Sequence, residues 1–250
     1  MITSLSINKG GLGRFGNNCY TIAGTIGIAI KSGQPYGFPE WISRDAELFG
    51  GIAESMGKYF VNELPEYIPG VPYQEYGYFW GYRDIVLPTG SWDINAHLQS
   101  PKYFEHCMPL IRDTFRMKNE YPDNDRVAIH WRAGDYTNGP ETYHPRQPIE
   151  YYQKAMALFP GREFSVFTDD MHAAEAMFPD LPISSGHYMD DFAFMKSHHS
   201  FIIANSSYSA FAATLANQPG KQVVAPRLWF GAAAGGLDGS AIYEPDWIIL

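Results

Sequence analysis

Apolar and polar positions alternate most regularly in the second half of the chain. Strands are predicted by short apolar runs, which lie at 127–131, 164–168, 201–204 and 223–225. Helices are predicted by apolar residues at helical spacing, in segments that begin at Pro148 and span 171–178, 190–198 and 208–215. This alternation of strand and helix predicts an α/β fold with a parallel sheet and helices on both of its faces.

The first half of the chain has a weaker pattern. A short strand is predicted over the apolar residues 5–7, and a glycine-rich segment at 10–16 leads into a helix that runs to about Ser32. Gly33 is the expected C-terminal stop of this helix. A second helix is predicted over 101–117 from the spacing of its apolar residues.

Region 35–100 is rich in proline, glycine and tyrosine and has no clear period. The polar run 118–125 is the best candidate for a linker. We therefore predict two domains, 1–120 and 121–250.

Composition narrows the functional classes. The net charge of −9 argues against broad binding to nucleic acid or to an anionic membrane, since both need a basic surface. The two cysteines, Cys19 and Cys107, are too few for a disulfide framework or a metal cluster. The N-terminus lacks a signal-peptide pattern and no apolar run reaches membrane-spanning length. We expect a cytoplasmic protein, at most peripheral at the inner face of the membrane.

Polar clusters directly follow three of the predicted strands, at 130–135, 168–170 and 205–209. The carboxyl ends of parallel strands meet at one edge of a sheet, which is where ligands bind in such folds. The three clusters therefore predict one shared site.

Each cluster has a structural and a functional interpretation. Arg132 either clamps a diphosphate or only ties a loop to Asp135. The segment 205–209 either caps a helix or also holds an anion at the helix N-terminus. Asp169 and Asp170 either accept N–H groups from a guanine edge or cap the next helix.

Metal binding is not favoured by the sequence. Asp169 and Asp170 have no third oxygen ligand nearby in the sequence. His198 and His199 are expected on a helix, where adjacent side chains point in different directions and cannot grip one ion.

Together, the segments resemble the inverting fucosyltransferases, and most closely the α-1,2-fucosyltransferases of glycosyltransferase family 11. The H-x-R-x-G-D-Y motif of that family is matched at 130–136, and its Gly-Gly-Leu-Gly motif at 10–13. Further matches follow in family order at 99–104, 169–170, 191–209, 225–230 and 245–247.

Two segments depart from the family pattern. Residues 13–17 read Gly-Arg-Phe-Gly-Asn, which is similar to a motif of protein O-fucosyltransferases. Ala210 and Phe211 replace the two tryptophans that usually follow the Ser-Phe-Ser segment. Because of these two departures, the resemblance does not determine the identity of the acceptor.

The resemblance implies a GT-B-like architecture, with two Rossmann-like domains facing a cleft. Domain 1–120 would form the acceptor side, and domain 121–250 would bind GDP-fucose. The partners would be GDP-fucose and an oligosaccharide or glycan acceptor, with no nucleic acid, no cofactor and no metal. The implied donor-binding residues are Gly13, Arg14, Asn17, His130, Arg132, Asp169, Asp170, Asn205, Ser206, Ser207 and Ser209. The candidates for catalysis are Arg132, Asp135 and Glu141.

The reaction implied by the resemblance is fucosyl transfer with inversion, to the 2-OH of a galactoside. Protein O-fucosylation stays open because of segment 13–17. A catalytically silent protein that binds a nucleotide sugar is the alternative from another functional class.

Overall fold

The computed structural model describes residues 1–8, 13–43, 45, 47 and 52–250. The chain divides into two compact units, Met1–Lys118 and Asn119–Leu250. The division lies inside the polar run 118–125.

The C-terminal unit, all of whose residues are described, contains a sheet of six parallel strands. The strands are β6 (Asn124–Trp131), β7 (Phe164–Thr168), β8 (Ile183–Ser184), β9 (His198–Ile202), β10 (Gln222–Ala225) and β11 (Ile248–Ile249). Their spatial order is β11-β10-β9-β6-β7-β8. Counted from β6, this is the 3-2-1-4-5-6 order of doubly wound Rossmann sheets.

Four helices connect these strands. They are α3 (Ile149–Met156), α4 (Met171–Met177), α5 (Tyr188–Lys196) and α6 (Ser207–Leu215). Single 3-10 turns at Ala232–Ala234 and Ser240–Ile242 lie between β10 and β11. The predicted α/β class with a parallel sheet is confirmed for this unit.

The central strand β6 explains the two layers of helices. Successive side chains of a strand point to opposite faces. Val127, Ile129 and Trp131 pack in one buried cluster with residues of α3 and α4. His130, on the opposite face, contacts the first turn of α6. Because both faces are covered, β6 is apolar almost throughout its second half.

Within the described part of the N-terminal unit, strands are short. They are β1 (Ile2–Thr3), β2 (Ile42–Ser43), β3 (Glu54–Ser55), β4 (Gln74–Tyr76) and β5 (Trp92–Ile94). A three-stranded parallel sheet has the order β1-β5-β4, and β2 pairs antiparallel with β3. The described part is thus smaller than the Rossmann-like domain expected here, because region 35–100 forms mainly loops.

One long helix dominates this unit. The helix α1 (Phe15–Lys31) is almost entirely buried. It ends as predicted: Gly33 has a φ of 63°, and the N–H of Gln34 bonds the carbonyl of Ala29 at 2.9 Å. A backbone with positive φ is adopted easily only by glycine, which explains this stop.

Two local predictions were wrong. The strand expected at 5–7 is a 3-10 turn, Leu5–Asn8, because the Asp93 carboxylate accepts the N–H of Leu5 at 2.8 Å and ends the pairing of β1. The helix expected over 101–117 is divided. The segments are 3-10 turns Pro101–Tyr103 and Glu105–Cys107, then α2 (Met108–Thr114). Phe104 leaves the helical conformation between the two turns, with φ −135° and ψ 1°.

A third prediction needs correction at its boundary. His198 was expected on a helix but is the first residue of β9, because α5 already ends at Lys196. A remaining 3-10 turn, Met56–Lys58, follows β3. Among the described residues, no helix has the length and apolarity needed to cross a bilayer.

Candidate functional site

The candidate site lies at the carboxyl ends of β6 and β9. These strands are neighbours, but the chain leaves β6 toward β7 and leaves β9 toward β10, on the other side. Such a reversal opens a crevice at the strand ends of a doubly wound sheet. Two of the polar clusters predicted from the sequence, 130–135 and 205–209, lie at the ends of these two strands.

His130 links the two segments. Its Nδ1 lies 2.8 Å from Oγ of Ser209, and its ring packs against Tyr208 with centroids 5.5 Å apart. The Ser209 hydroxyl also donates to the carbonyl of Ser206 at 3.3 Å. Burial lowers the pKa of His130 to about 4, with the nearby Asp169 carboxylate opposing the shift. His130 is therefore neutral at pH 7.

Arg132 is the first residue after β6, and its side chain is mostly buried. Nη2 donates to Oδ1 of Asp135 at 2.6 Å, and Nη1 donates to Oδ2 of Asp169 at 2.7 Å. The guanidinium also lies over the ring of Tyr136, 5.4 Å from its centroid. Its buried Nε–H has no acceptor among the residues of this fully described unit. Arg132 is thus held rigidly without all of its donors being used.

Asp169 shapes the turn that carries Arg132. Its Oδ1 accepts the backbone N–H groups of Ala133 at 2.9 Å and Gly134 at 3.1 Å, while Oδ2 binds Arg132. A Cβ added at Gly134 would lie 2.5 Å from Asp169 Oδ2, so only glycine permits this approach. Both oxygens of Asp169 have protein partners, which favours the structural interpretation of this residue over a guanine contact.

Asp170 has a different local role. It is the N-cap of α4, and its Oδ1 accepts the N–H of Ala173 at 3.0 Å. Ser206 is the N-cap of α6 but its side chain makes no capping bond. Ser206 is buried and Ser207 is half-buried. Because Ser209 in its first turn bonds His130, the α6 N-terminus, with its partial positive charge, lies beside the carboxyl end of β6.

Asn205 holds three segments together. Its Nδ2 donates to the carbonyls of Pro145 at 3.1 Å and Trp229 at 2.9 Å, and its own carbonyl accepts the hydroxyl of Tyr136 at 2.9 Å. Asn205 is 1% exposed. The structure gives it a supporting position behind the turn, and its predicted donor contact stays a prediction.

Two tyrosines of α3 support the strand ends. The Tyr151 hydroxyl donates to the carbonyls of Ile203 at 2.7 Å and Val224 at 3.1 Å, and the Tyr152 hydroxyl donates to that of His130 at 3.1 Å. Burial raises the pKa of both hydroxyls, so both remain protonated donors. These hydrogen bonds hold the ends of the strands that line the crevice in place.

Sequence reasoning missed Arg146 and His144. Arg146 donates to two carbonyls of the turn, and the His144 ring stacks on Tyr136 with centroids 5.0 Å apart and an interplanar angle of 8°. Both residues lie in a segment without hydrophobic periodicity. Their position next to a predicted phosphate turn was the only available signal.

Glu141 is not brought to Arg132. It is exposed, its carboxylate lies close to Gly139, and its carbonyl accepts the N–H of Ala233 at 3.0 Å. Of the two acidic candidates for catalysis, Asp135 bonds the Arg132 guanidinium and Glu141 does not. Asp135 is 57% exposed at its side chain.

Three predicted donor residues lie in the N-terminal unit. Gly13 has a φ of 86°, and Arg14 is the N-cap of α1. Asn17 accepts a hydrogen bond from Nε2 of Gln99 at 2.7 Å. The Gly-Gly-Leu-Gly prediction at 10–13 lies outside the described residues except for Gly13.

The N-terminal end of α1 already has an acidic partner. The Asp45 Oδ2 accepts the N–H of Phe15 at 2.7 Å, and burial raises the pKa of Asp45. In the part of the chain that the structure describes, no group of three or more His, Cys, Asp or Glu residues is arranged to hold a metal ion.

Residues 110–250 match the model of glycosyl transferase family 11. The matched range is more than half of the chain and includes the whole of the Rossmann-type unit. The chain is 31% identical over 184 residues to the O-antigen biosynthesis glycosyltransferase WbnK of Escherichia coli. The match covers 68% of this chain and 56% of WbnK, so the chain spans little more than half the length of that relative.

Proposed function

Because the chain belongs to glycosyl transferase family 11, we propose that it transfers fucose from GDP-fucose to a hydroxyl of a glycan, the 2-OH of a galactoside. The position of Arg132 carries this proposal. A guanidinium at the switch point of a doubly wound sheet, with one buried donor unused, suits the diphosphate of a nucleotide sugar.

The proposed reaction is a single displacement with inversion. The acceptor oxygen attacks the anomeric carbon, the bond from that carbon to the diphosphate oxygen breaks, and the acceptor proton passes to a base. Arg132 and the α6 N-terminus stabilise the charge that develops on the leaving GDP. This preorganised cation acts strongly because the Arg132 side chain is mostly buried.

His130 would act in this reaction as a neutral hydrogen-bonding group. Its low pKa means that it adds no positive charge beside the diphosphate at pH 7. Asp135 is the better placed of the two proposed bases, since it lies beside Arg132 and is exposed. Its bond to Arg132 has to loosen before it accepts a proton.

The proposal also includes a role for the N-terminal unit and a class of acceptor. A GT-B arrangement would bring Gly13, Arg14 and Asn17 to the donor from the N-terminal unit. The printed name of WbnK supports an acceptor of the O-antigen type. We also propose that the transfer takes place at the cytoplasmic side of the membrane. No catalytic metal is needed in this mechanism, because cationic protein groups stabilise the leaving group.

Transfer is tested by incubating the chain with GDP-fucose and a panel of β-galactosides, followed by mass spectrometry of the sugars. We expect a mass gain of one deoxyhexose on a galactoside, unchanged in the presence of EDTA. A second arm with a folded protein acceptor tests protein O-fucosylation, which segment 13–17 keeps open. Binding of GDP-fucose without transfer or hydrolysis would support the silent binder, and activity that requires added Mn²⁺ would contradict the metal-free mechanism.

A further inference from the structure

Arg146 holds both ends of the turn 133–136. Its Nη2 donates to the carbonyl of Ala133 at 2.8 Å and to the carbonyl of Tyr136 at 3.1 Å. Its backbone N–H donates to the carbonyl of Thr137 at 2.8 Å. Nη2 of a guanidinium carries two N–H groups, so it can donate one to each carbonyl. The turn therefore depends on a residue ten or more positions further along the chain.

The charge of Arg146 is not matched by a carboxylate. Arg132 has two carboxylate partners, Asp135 and Asp169, which together leave one negative charge in excess. Arg146 has no carboxylate within ion-pair distance in the C-terminal unit, where every residue is described. Its positive charge makes the group of four neutral. Without it, the turn would repel a diphosphate.

The surroundings of Arg146 strengthen this effect. The guanidinium is half-buried and lies over the Trp131 ring, 5.5 Å from its centroid. Its Nε–H is buried and has no acceptor in this unit, all of which is described. Charges that are shielded from water act over longer distances than exposed ones.

We propose that Arg146 is a positioning residue of the donor site, which fixes the turn 133–136 and offsets the second carboxylate so that Arg132 binds the diphosphate. The proposal rests on the proposed function for the identity of this ligand. It adds a residue that lies outside the motif at 130–136 and that acts through the backbone and through its charge.

The test compares Arg146→Met, Arg146→Lys and the control Arg162→Met. Arg162 is also an arginine of this unit, but it pairs with Asp125 at the amino end of β6, at 2.8 Å. Five quantities are measured: kcat and KM with GDP-fucose, GDP affinity by calorimetry, Tm, and amide hydrogen exchange of residues 132–137 in the protein without ligand.

We expect Arg146→Met to lower kcat and to weaken GDP binding by roughly tenfold or more each. In Arg146→Met, amide exchange of residues 132–137 is expected to be faster than in the wild type. Arg146→Lys keeps the charge and is expected to restore GDP affinity to within about threefold of the wild-type value, while exchange of 132–137 remains as fast as in Arg146→Met. Arg162→Met is expected to match the wild type in kcat, GDP affinity and exchange.

Two outcomes would overturn the proposal. One is a kcat and GDP affinity of Arg146→Met equal to those of Arg162→Met. The other is equal exchange protection of 132–137 in these two variants. If the wild-type protein neither binds nor uses GDP-fucose, the proposed function fails, and the exchange comparison still decides whether Arg146 positions the turn.

Discussion

The hydrogen bond between His130 Nδ1 and Ser209 Oγ, 2.8 Å long, joins the carboxyl end of β6 to the first turn of α6 across 79 positions of sequence. It spans the point where the chain direction reverses in the sheet. The bond places the helix N-terminus and Arg132 on the same crevice, so two sources of positive potential converge where a diphosphate would bind.

The buried His130 predicts acid sensitivity. Its pKa in the folded protein, about 4, is below the ordinary value of 6.5, so the unfolded chain binds a proton first as the pH falls. The contribution of neutral His130 to the stability of the folded protein is fully present above pH 6.5 and is lost as the pH falls through 4. It amounts to about 3 kcal/mol of unfolding free energy. We expect His130→Gln to flatten the pH dependence of urea unfolding between 6.5 and 4.

His198 provides the matched control for this variant. Burial lowers its pKa to about 4 as well, but it lies at the amino end of β9, away from the crevice. His198→Gln should flatten the same pH dependence and leave transfer unchanged, while His130→Gln should also lower transfer by about tenfold, the effect of losing one hydrogen bond in the site. Equal transfer activity of the two variants would show that His130 does not contribute to the site.

The two partners of Arg132 should differ in their contribution to stability. Asp169 is 11% exposed and also accepts two backbone N–H groups, so its removal leaves buried donors unpaired. We expect Asp169→Ala to lower the free energy of unfolding by about 2–4 kcal/mol. Asp135→Ala should cost less than about 1 kcal/mol, because the Asp135 side chain is 57% exposed and its carboxylate is solvated. Urea denaturation of both variants checks this, and similar losses would show that Asp169 does not hold the turn.

Gly134 should not tolerate a side chain. An added Cβ would meet Asp169 Oδ2 at 2.5 Å, so Gly134→Ala has to displace either the carboxylate or the turn. We expect at least a tenfold loss of kcat, since Arg132 moves with the turn. Gly186→Ala is the control, because its Cβ would meet Asp191 Oδ1 at an ordinary 3.5 Å. Activity of Gly134→Ala equal to that of Gly186→Ala would contradict the geometry of the turn.

The sequence pattern predicted most of the Rossmann-type unit because its strands are buried on both faces. The strand at 164–168 was predicted at the bounds that the structure has, and α3 begins directly after Pro148 as expected. The edge strands β8 and β11 were missed, since two residues each are too short to show a period. Region 35–100 was not interpretable because its described strands have only two or three residues each.

The site was predictable only where it followed a strand end. Arg132 and the segment 205–209 were found by this rule. The partners of Asp169 lie about 35 positions earlier in the chain, so no local pattern could separate a base contact from a backbone clamp. Arg146 acts through a loop that returns to the turn, and such a return depends on tertiary packing rather than on sequence spacing.

The central claim is that Arg132 binds the diphosphate of GDP-fucose, and calorimetry of a donor panel tests it most directly. Wild-type protein, Arg132→Ala and the control Arg162→Ala are each titrated with GDP-fucose, GDP-mannose and UDP-galactose. The account predicts binding of GDP-fucose by the wild type and the control, weaker binding of the other donors, and a loss of at least about a hundredfold in affinity in Arg132→Ala. Wild-type affinity in Arg132→Ala, or a preference for UDP-galactose, would contradict it.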